Sequence, residues 1–336
     1  MYDCIIIGSG PAGLSAAFTA KSCGLDYIVL ERGIIAETVS HFPIAKTLFS
    51  TAAELELEPG RFVPGYKPTR EELLTHYTRF ASDQRLKIHT GEAVTGISRI
   101  CDGFTVSTEA GQYASRTVLA AIGGFGCQRR LGATGENEAS VSYSFSEAYP
   151  YAMKHVLVVG AGNSAAEAAI ALAEVGAVVS LSIRRPTLDL SAERAKTEGK
   201  AMIKPWVRQP LDQAIARGEI RLLNSTTVLE IRTGSAIVAS CDEDGRPAAG
   251  MPFSVPCCHI FALIGADPDT QILEAAGVEI AADGRPVYDP LSYETNVPGL
   301  FVTGHLTRER HMKNAIRIAR ETVEKIGSIV LAKCAV

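Results

Sequence analysis

The chain holds no Cys-x-x-Cys pair, and none of its eight cysteines stands with histidine at the spacing of a zinc site. A structural zinc centre and a dithiol closed over two residues are both excluded on that ground. No apolar run is long enough to span a bilayer. The first apolar stretch, Cys4 to Ile7, follows no basic segment and enters a glycine turn at once, which is not how a secretory signal is built. The terminal run from Ile326 to Val336 is apolar but short, and reads as the packed end of a helix. Without an export signal a disulfide framework is not expected, and the cysteines read as free thiols of a reducing cytoplasm. An excess of positive charge is missing too. The 33 basic residues face 37 acidic ones, for a formal net charge of −4, and the basic residues are scattered. Neither a nucleic-acid partner nor a membrane surface is expected from that balance. Tryptophan is nearly absent; the single one, Trp206, reads as a packing anchor.

What is present is a repeat. The 336 residues are ample for two domains, and 46% apolar content supplies their cores. The first copy runs Cys4-Ile-Ile-Ile-Gly-Ser-Gly-Pro-Ala-Gly13, then an alanine-rich helix to Gly24 and a strand from Tyr27 to Leu30. The second runs Val156-Leu-Val-Val-Gly-Ala-Gly-Asn-Ser-Ala165, then a helix to Gly176 and a strand from Val178 to Ile183. Equal spacing separates Gly8 from Gly24 and Gly160 from Gly176. The continuous β-branched runs are those of buried parallel strands.

Each glycine turn has a physical reading. Gly8 permits the tight turn, Gly10 lets backbone approach a pyrophosphate, and Gly13 lets helix and strand pack closely. The helix start then offers unpaired N–H groups and the positive end of its dipole. Glu31 ends the strand that follows, where a carboxylate accepts from ribose hydroxyls. In the second copy Gly160, Gly162 and Ala165 repeat the pattern, but Arg184 and Arg185 replace the acid. An arginine there suits the 2′-phosphate of NADPH and a carboxylate would repel it, so NADPH is expected over NADH. At least one of the two arginines is expected to be a solvated strand-end charge.

Between the copies, residues 42–67 read as irregular. A helix is predicted from Thr69 to Phe80, with Glu72 completing a capping box. Strands near Leu86–His89, Ala93–Arg99, Phe104–Thr108 and Thr117–Ile122 suggest a meander covering one face of the first sheet. Further strands are expected near Ile220–Leu223, Val228–Arg232 and Ala236–Cys241. A last strand, Leu300 to Thr303, leads through Gly304 to a helix from Lys313 to Leu331. A lone strand and helix cannot bury both faces, so this block is expected to complete the first sheet. The fold class is therefore α/β, with two Rossmann-like three-layer domains, one inserted in the other. The first occupies 1–122 and 257–336 and the second 123–256.

This layout resembles the thioredoxin-reductase-like flavoproteins over nearly the whole chain, including Asn296-Val-Pro-Gly-Leu-Phe-Val-Thr-Gly304 and Lys313-Asn314-Ala315. Within that family it resembles the bacillithiol-disulfide reductase branch at Phe42-Pro43, Thr47-Leu-Phe-Ser-Thr51, Lys67-Pro-Thr-Arg-Glu71 and Lys204-Pro-Trp-Val-Arg208. It does so again at Phe261-Ala-Leu-Ile-Gly265, Asp267-Pro-Asp269 and Gly284-Arg-Pro-Val-Tyr288. The resemblance implies FAD in the first domain and a homodimer. The FAD contacts it implies are Gly8, Gly10, Pro11, Ala12, Gly13, Glu31, Arg32, Thr47, Val94, Gly123, Gly304, His305, Lys313, Asn314 and Ala315. It places Asn163 and Ser164 beside NADPH with Gly160, Gly162, Ala165, Arg184 and Arg185. Lys313 and a helix dipole would stabilise negative charge on a reduced flavin.

The chain departs from that pattern at three places. It lacks the Cys-x-x-Cys of thioredoxin reductases, it has Ala12 where the bacillithiol branch has a turn cysteine, and it has His305 where an aspartate is usual. A thiol relay then has no evident seat. Cys127, near Arg129 and Arg130, is the candidate; Cys4 reads as core, and at least one of Cys257 and Cys258 as buried where the chain re-enters the first domain. Three functions follow: an NADPH-dependent flavoprotein reducing a low-molecular-weight disulfide or related redox partner, a flavin reductase with a quinone, ferredoxin or oxygen as acceptor, or a non-catalytic sensor of the two nucleotides. The ferredoxin version is weakened because no Phe, Tyr or Trp follows Phe301.

Overall fold

The computed structural model describes residues 1–63, 65–137, 140–189, 202–309 and 311–334. The chain divides into two units, Met1–Cys127 with Ala266–Val336, and Gln128–Gly265.

The first unit is built on a seven-stranded sheet. Its first strand, Tyr2–Ile7, lies parallel to Tyr27–Leu30 on one side and to Gln112–Ala120 on the other. Alternate side chains of this strand feed two cores. Cys4 and Ile6 pack with Ala16, Phe301, Ala319 and Val323, whereas Ile5 and Ile7 pack with Phe104, Val106 and Leu273. Each isoleucine fully removed from water contributes roughly 1.5–3 kcal/mol, which is why an unbroken β-branched run is stable only in the middle of a covered sheet. One covering layer comes from two chain-distant helices, Pro11–Ser22 and Met312–Cys334. Their small facing residues let the backbones approach closely enough for the Ser15 hydroxyl to donate to the Ile316 carbonyl at 2.8 Å.

The meander Val94–Ile100, Gly103–Thr108, Gln112–Ala120 is antiparallel. It is hydrogen-bonded into the same sheet through Gln112–Ala120, which also pairs with Tyr2–Ile7 and with Leu300–Val302. It therefore continues the sheet, because one long strand serves both its parallel and antiparallel parts, and is not a separate cover on one face.

The helix Arg70–Asp83 starts at the predicted capping box: the Thr69 N–H donates to Glu72 at 2.7 Å and the Glu72 N–H to the Thr69 hydroxyl at 3.3 Å. The segment read as irregular holds two short helices just before and within it, Glu37–Ser40 and Ala52–Leu55. Leu48, Leu55 and Leu57 anchor it by burial against Tyr77 and Phe80.

The second unit has a five-stranded parallel sheet in the order Ile220–Leu223, Val178–Ser182, His155–Val159, His259–Ala262, Val141–Ser142. The helices Asn163–Glu174 and Pro205–Ala216 pack into its core. An antiparallel sheet of Thr226–Arg232, Ser235–Ser240 and Phe253–Pro256 completes the unit.

Two expectations need correction. The crossings fall at Cys127/Gln128 and Gly265/Ala266, not at 122/123 and 256/257. The reason is that His259–Ala262 pairs along its whole length with His155–Val159 and so belongs to the second sheet. Cys257 and Cys258 accordingly lie inside the second unit, not where the chain re-enters the first. Trp206 is 52% exposed at the start of its helix, with the Lys204 ammonium 6.0 Å from the ring centroid, so it is not a buried anchor.

Candidate functional site

The first glycine turn joins Tyr2–Ile7 to Pro11–Ser22. Gly8 takes φ +102°, and a Cβ on it would meet the Ala121 carbonyl oxygen at 2.6 Å. A Cβ on Gly13 would stand 1.9 Å from the Gly8 carbonyl oxygen. Both positions therefore require glycine for the turn and the helix to pack. A Cβ on Gly10 would meet nothing within 4 Å, so this backbone faces open space. Gly10 caps the helix with no side-chain hydrogen bond, Pro11 opens it, and no acid stands in its first turn. The N–H groups there remain available to an anion.

Glu31 is buried at the end of the adjacent strand. Its carboxylate accepts from the Ser9 N–H at 2.6 Å, the Ser9 hydroxyl at 3.0 Å and the Gly33 N–H at 2.9 Å. Three donors leave about one acceptor position on the carboxylate for a ribose hydroxyl. Arg32 is exposed beside it. Ser9, not singled out from the sequence, proves to be the residue that fixes Glu31. Its position between the two glycines is the only signal that could have marked it.

The final block reaches the same turn. At Gly304 (φ +69°) a Cβ would lie 2.9 Å from the Ala12 Cβ and 3.9 Å from the Ala315 Cβ. Ala12, Gly304 and Ala315 are thus brought together from the two ends of the chain. His305 stacks edge-on against Phe125, 5.6 Å between centroids, and its carbonyl accepts from Arg285 at 2.5 Å. Lys313 and Asn314 sit at the start of the last helix with their polar ends committed: the ammonium lies 2.8 Å from Glu54, and the Asn314 amide donates to Glu309 at 2.7 Å. Neither acid was visible as a partner in the sequence. Thr47 bridges to Thr69, and Val94 pairs with Thr108 on the meander. Gly123 takes φ +78° with no atom near its would-be Cβ.

The second turn joins His155–Val159 to Asn163–Glu174. Gly160 (φ +141°) has the Leu263 carbonyl oxygen 2.4 Å from where a Cβ would be, and the Ala165 Cβ at 3.1 Å. Gly162, the cap, faces open space, and the helix again starts without an acid. Ser164 is exposed on the first turn. Asn163 is used internally: its side chain accepts from the Lys204 N–H at 2.8 Å and donates to the Met202 carbonyl at 3.3 Å. The two arginines divide. Arg185 is half-buried and donates to the Ala161 carbonyl at 2.8 Å, inside the glycine turn. Arg184 is exposed and lies along the Asp242–Gly245 turn, reaching the Asp244 carbonyl at 3.5 Å.

Among the described residues the thiols do not gather at either turn. Cys4 is buried, which pushes its thiol up to about 12, and burial likewise pushes Cys257 up to about 11. Cys127 is exposed at the chain crossing. Of its basic neighbours, Arg130 lies over the Tyr143 ring and against the buried Glu136. Glu136 also accepts from the Leu131 and Gly132 N–H groups, so this cluster is fully engaged in holding its own loop. Among the described residues no group of acids, histidines and cysteines could hold a metal ion.

Two glycine turns with open backbone and uncapped helix starts, one beside a buried carboxylate and one beside guanidinium groups, form the arrangement expected of a protein of the two-dinucleotide class. Comparison with known proteins agrees. The family model for pyridine nucleotide-disulphide oxidoreductases matches residues 5–304, and the chain belongs to that family. It is similar to bacilliredoxin reductase Bdr of Bacillus subtilis (strain 168), 30% identical over 303 residues, covering 89% of this chain and 88% of the relative. It is also similar to a ferredoxin–NADP reductase of Ignicoccus hospitalis, at 26% identity over 91% of this chain and 90% of that one. Among solved structures, bacillithiol disulfide reductase Bdr (YpdA) from Staphylococcus aureus superposes with a TM-score of 0.87 at 26% identity, covering 97% of this chain and 98% of that chain. The protein is an oxidoreductase with FAD and NADPH as its cofactors. The open backbone at Gly10 and Gly162, the uncapped helix starts and the spare acceptor capacity of Glu31 fit these two groups.

Proposed function

We propose that this chain takes hydride from NADPH onto FAD and delivers the electrons to a low-molecular-weight disulfide or a related small redox partner, as a cytoplasmic homodimer. The observation that carries the reading is the inequality of the two turns. Glu31, held by Ser9 and Gly33, suits the ribose of FAD, whereas Arg184 and Arg185 suit the 2′-phosphate of NADPH. FAD, when bound, supplies a hydride acceptor that can pass electrons onward. The protein's own residues would hold each nucleotide by backbone N–H groups: Gly10, Ala12 and Gly13, beside Gly304, on one side, and Gly162 to Ala165 on the other. The disulfide acceptor is supported by the relative named bacilliredoxin reductase.

A second reading, a non-thiol acceptor such as a quinone, ferredoxin or oxygen, is favoured by Ala12. It supplies no sulfur at the first turn, and Cys4 and Cys257 are buried neutral thiols. The ferredoxin–NADP reductase relatives support it. A purely sensory role finds no support in the oxidoreductase family. Anaerobic reduction with NADPH, followed by a panel of small disulfides, quinones and ferredoxin while flavin absorbance is recorded, separates the two. Reoxidation by a disulfide is expected; reoxidation by a quinone alone would replace the first reading with the second.

A further inference from the structure

Thr303 is completely buried, and its hydroxyl has no hydrogen-bond partner among the described residues. A desolvated hydroxyl without a partner opposes folding where a methyl group would not, so its retention calls for a partner. Its backbone is extended and continues the strand Leu300–Val302, with its N–H donating to the Ala120 carbonyl at 3.0 Å. Side chains along that strand alternate. Leu300 and Val302 enter the core with Phe104 and Val106, and Phe301 enters the opposite core with Ala12, Ala16, Ala315 and Ala319. Two residues after Phe301, Thr303 is directed to the same side. That side carries the starts of both long helices, where Ala12 and Ala315 flank Gly304. The orphan hydroxyl thus stands on the face where two helix N-termini converge beside the first glycine turn, a place that favours anionic oxygen.

We infer that Thr303 is a binding residue of the FAD site, its hydroxyl donating to an oxygen of the pyrophosphate–ribityl part of the cofactor. The inference rests on the reading that the first glycine turn holds FAD. It differs from a structural role in the sign of two effects. Removing the hydroxyl removes an unsatisfied group from the apoprotein and a donor from the holoprotein.

The test compares wild type with Thr303→Val and Thr303→Ser, each stripped of FAD and titrated with FAD while its fluorescence quenching is read. Thr303→Val is expected to weaken FAD binding about tenfold, and Thr303→Ser, which keeps the donor, by no more than about threefold. The melting temperature of apo Thr303→Val is expected to equal or exceed that of the wild-type apoprotein. Should valine prevent folding, Thr303→Ala is read in the same way. FAD binding by the valine or alanine variant as tight as wild type overturns the inference. So does a loss of FAD accompanied by an equal loss in the serine variant. A wild-type apoprotein that takes up no FAD overturns the reading of the site itself.

Discussion

Gly10 and Gly13 sit three residues apart in one turn and serve different ends. A Cβ at position 13 would stand 1.9 Å from a carbonyl oxygen, whereas one at position 10 would meet nothing within 4 Å. Gly13→Ala is therefore expected to destabilise the fold by more than about 3 kcal/mol, seen as poor recovery or a greatly lowered thermal midpoint. Gly10→Ala is expected to melt normally without cofactor and to lose FAD affinity, because its methyl group projects where the pyrophosphate approaches. Equal melting of the two apoproteins would refute the division. The thiols obey the same logic of burial. At pH 7, N-ethylmaleimide is expected to label Cys127 and Cys258, which are exposed, and to spare Cys4 and Cys257 until the chain unfolds; peptide mass spectrometry decides. The raised values also set a direction with pH. Thiols of ordinary value 9.0 ionise first in the unfolded chain, while Cys4 and Cys257 hold their protons to about 12 and about 11. These two groups therefore make stability fall as pH rises above 9.

At the scale of elements, a strand delivers its chemistry at its end. Val178–Ser182 lies fully inside the second sheet and releases Ile183, Arg184 and Arg185 at the edge where Gly160–Gly162 turns. Arg185 is held by the turn itself, through the Ala161 carbonyl, and Arg184 keeps its guanidinium in solvent. Arg184→Ala is expected to raise KM for NADPH about tenfold with NADH turnover unchanged, the loss of one charge-assisted contact to the 2′-phosphate. An equal effect on both nucleotides would argue against that role. The helix Met312–Cys334 works in the same end-on way. Its start brings Ala315 to Gly304, and Lys313 is tied to Glu54 on the short helix Ala52–Leu55. That pair is half exposed, so its contribution to stability is at most about 1 kcal/mol and its value lies in fixing where the ammonium sits.

At the scale of the whole molecule, the first unit is assembled from both ends of the chain and the second from one continuous piece. Phe301, Ala319, Val323 and Ile326 are all fully buried in the core shared with Cys4 and Ile6. Residues 1–127 alone would leave that core uncovered. Expressed separately, Gln128–Gly265 is expected to show a cooperative thermal transition and Met1–Cys127 to be unfolded or insoluble. A cooperative transition in the isolated N-terminal piece would contradict this account of the core.

Much of this was legible without coordinates, for a definite reason. The glycine turns, the Thr69–Glu72 box and the acid or arginine at a strand end are local patterns, in which the residues that interact lie within a few tens of positions of one another. By themselves they determined an α/β chain with two dinucleotide turns of opposite strand-end charge. The sequence could not reveal that Ser9 holds Glu31, since a serine between two glycines carries no mark of its partner. It also gave no sign that Lys313 faces Glu54, 259 residues away, because long-range ion pairs leave no periodicity. The crossing at Gly265 depended on the sheet that His259–Ala262 joins, and an apolar strand reads alike in either. The orphan hydroxyl of Thr303 followed only from packing, which decides what is buried and with whom. Local chemistry pointed to the two proposed nucleotide sites; tertiary structure alone decided which distant side chains lie beside them.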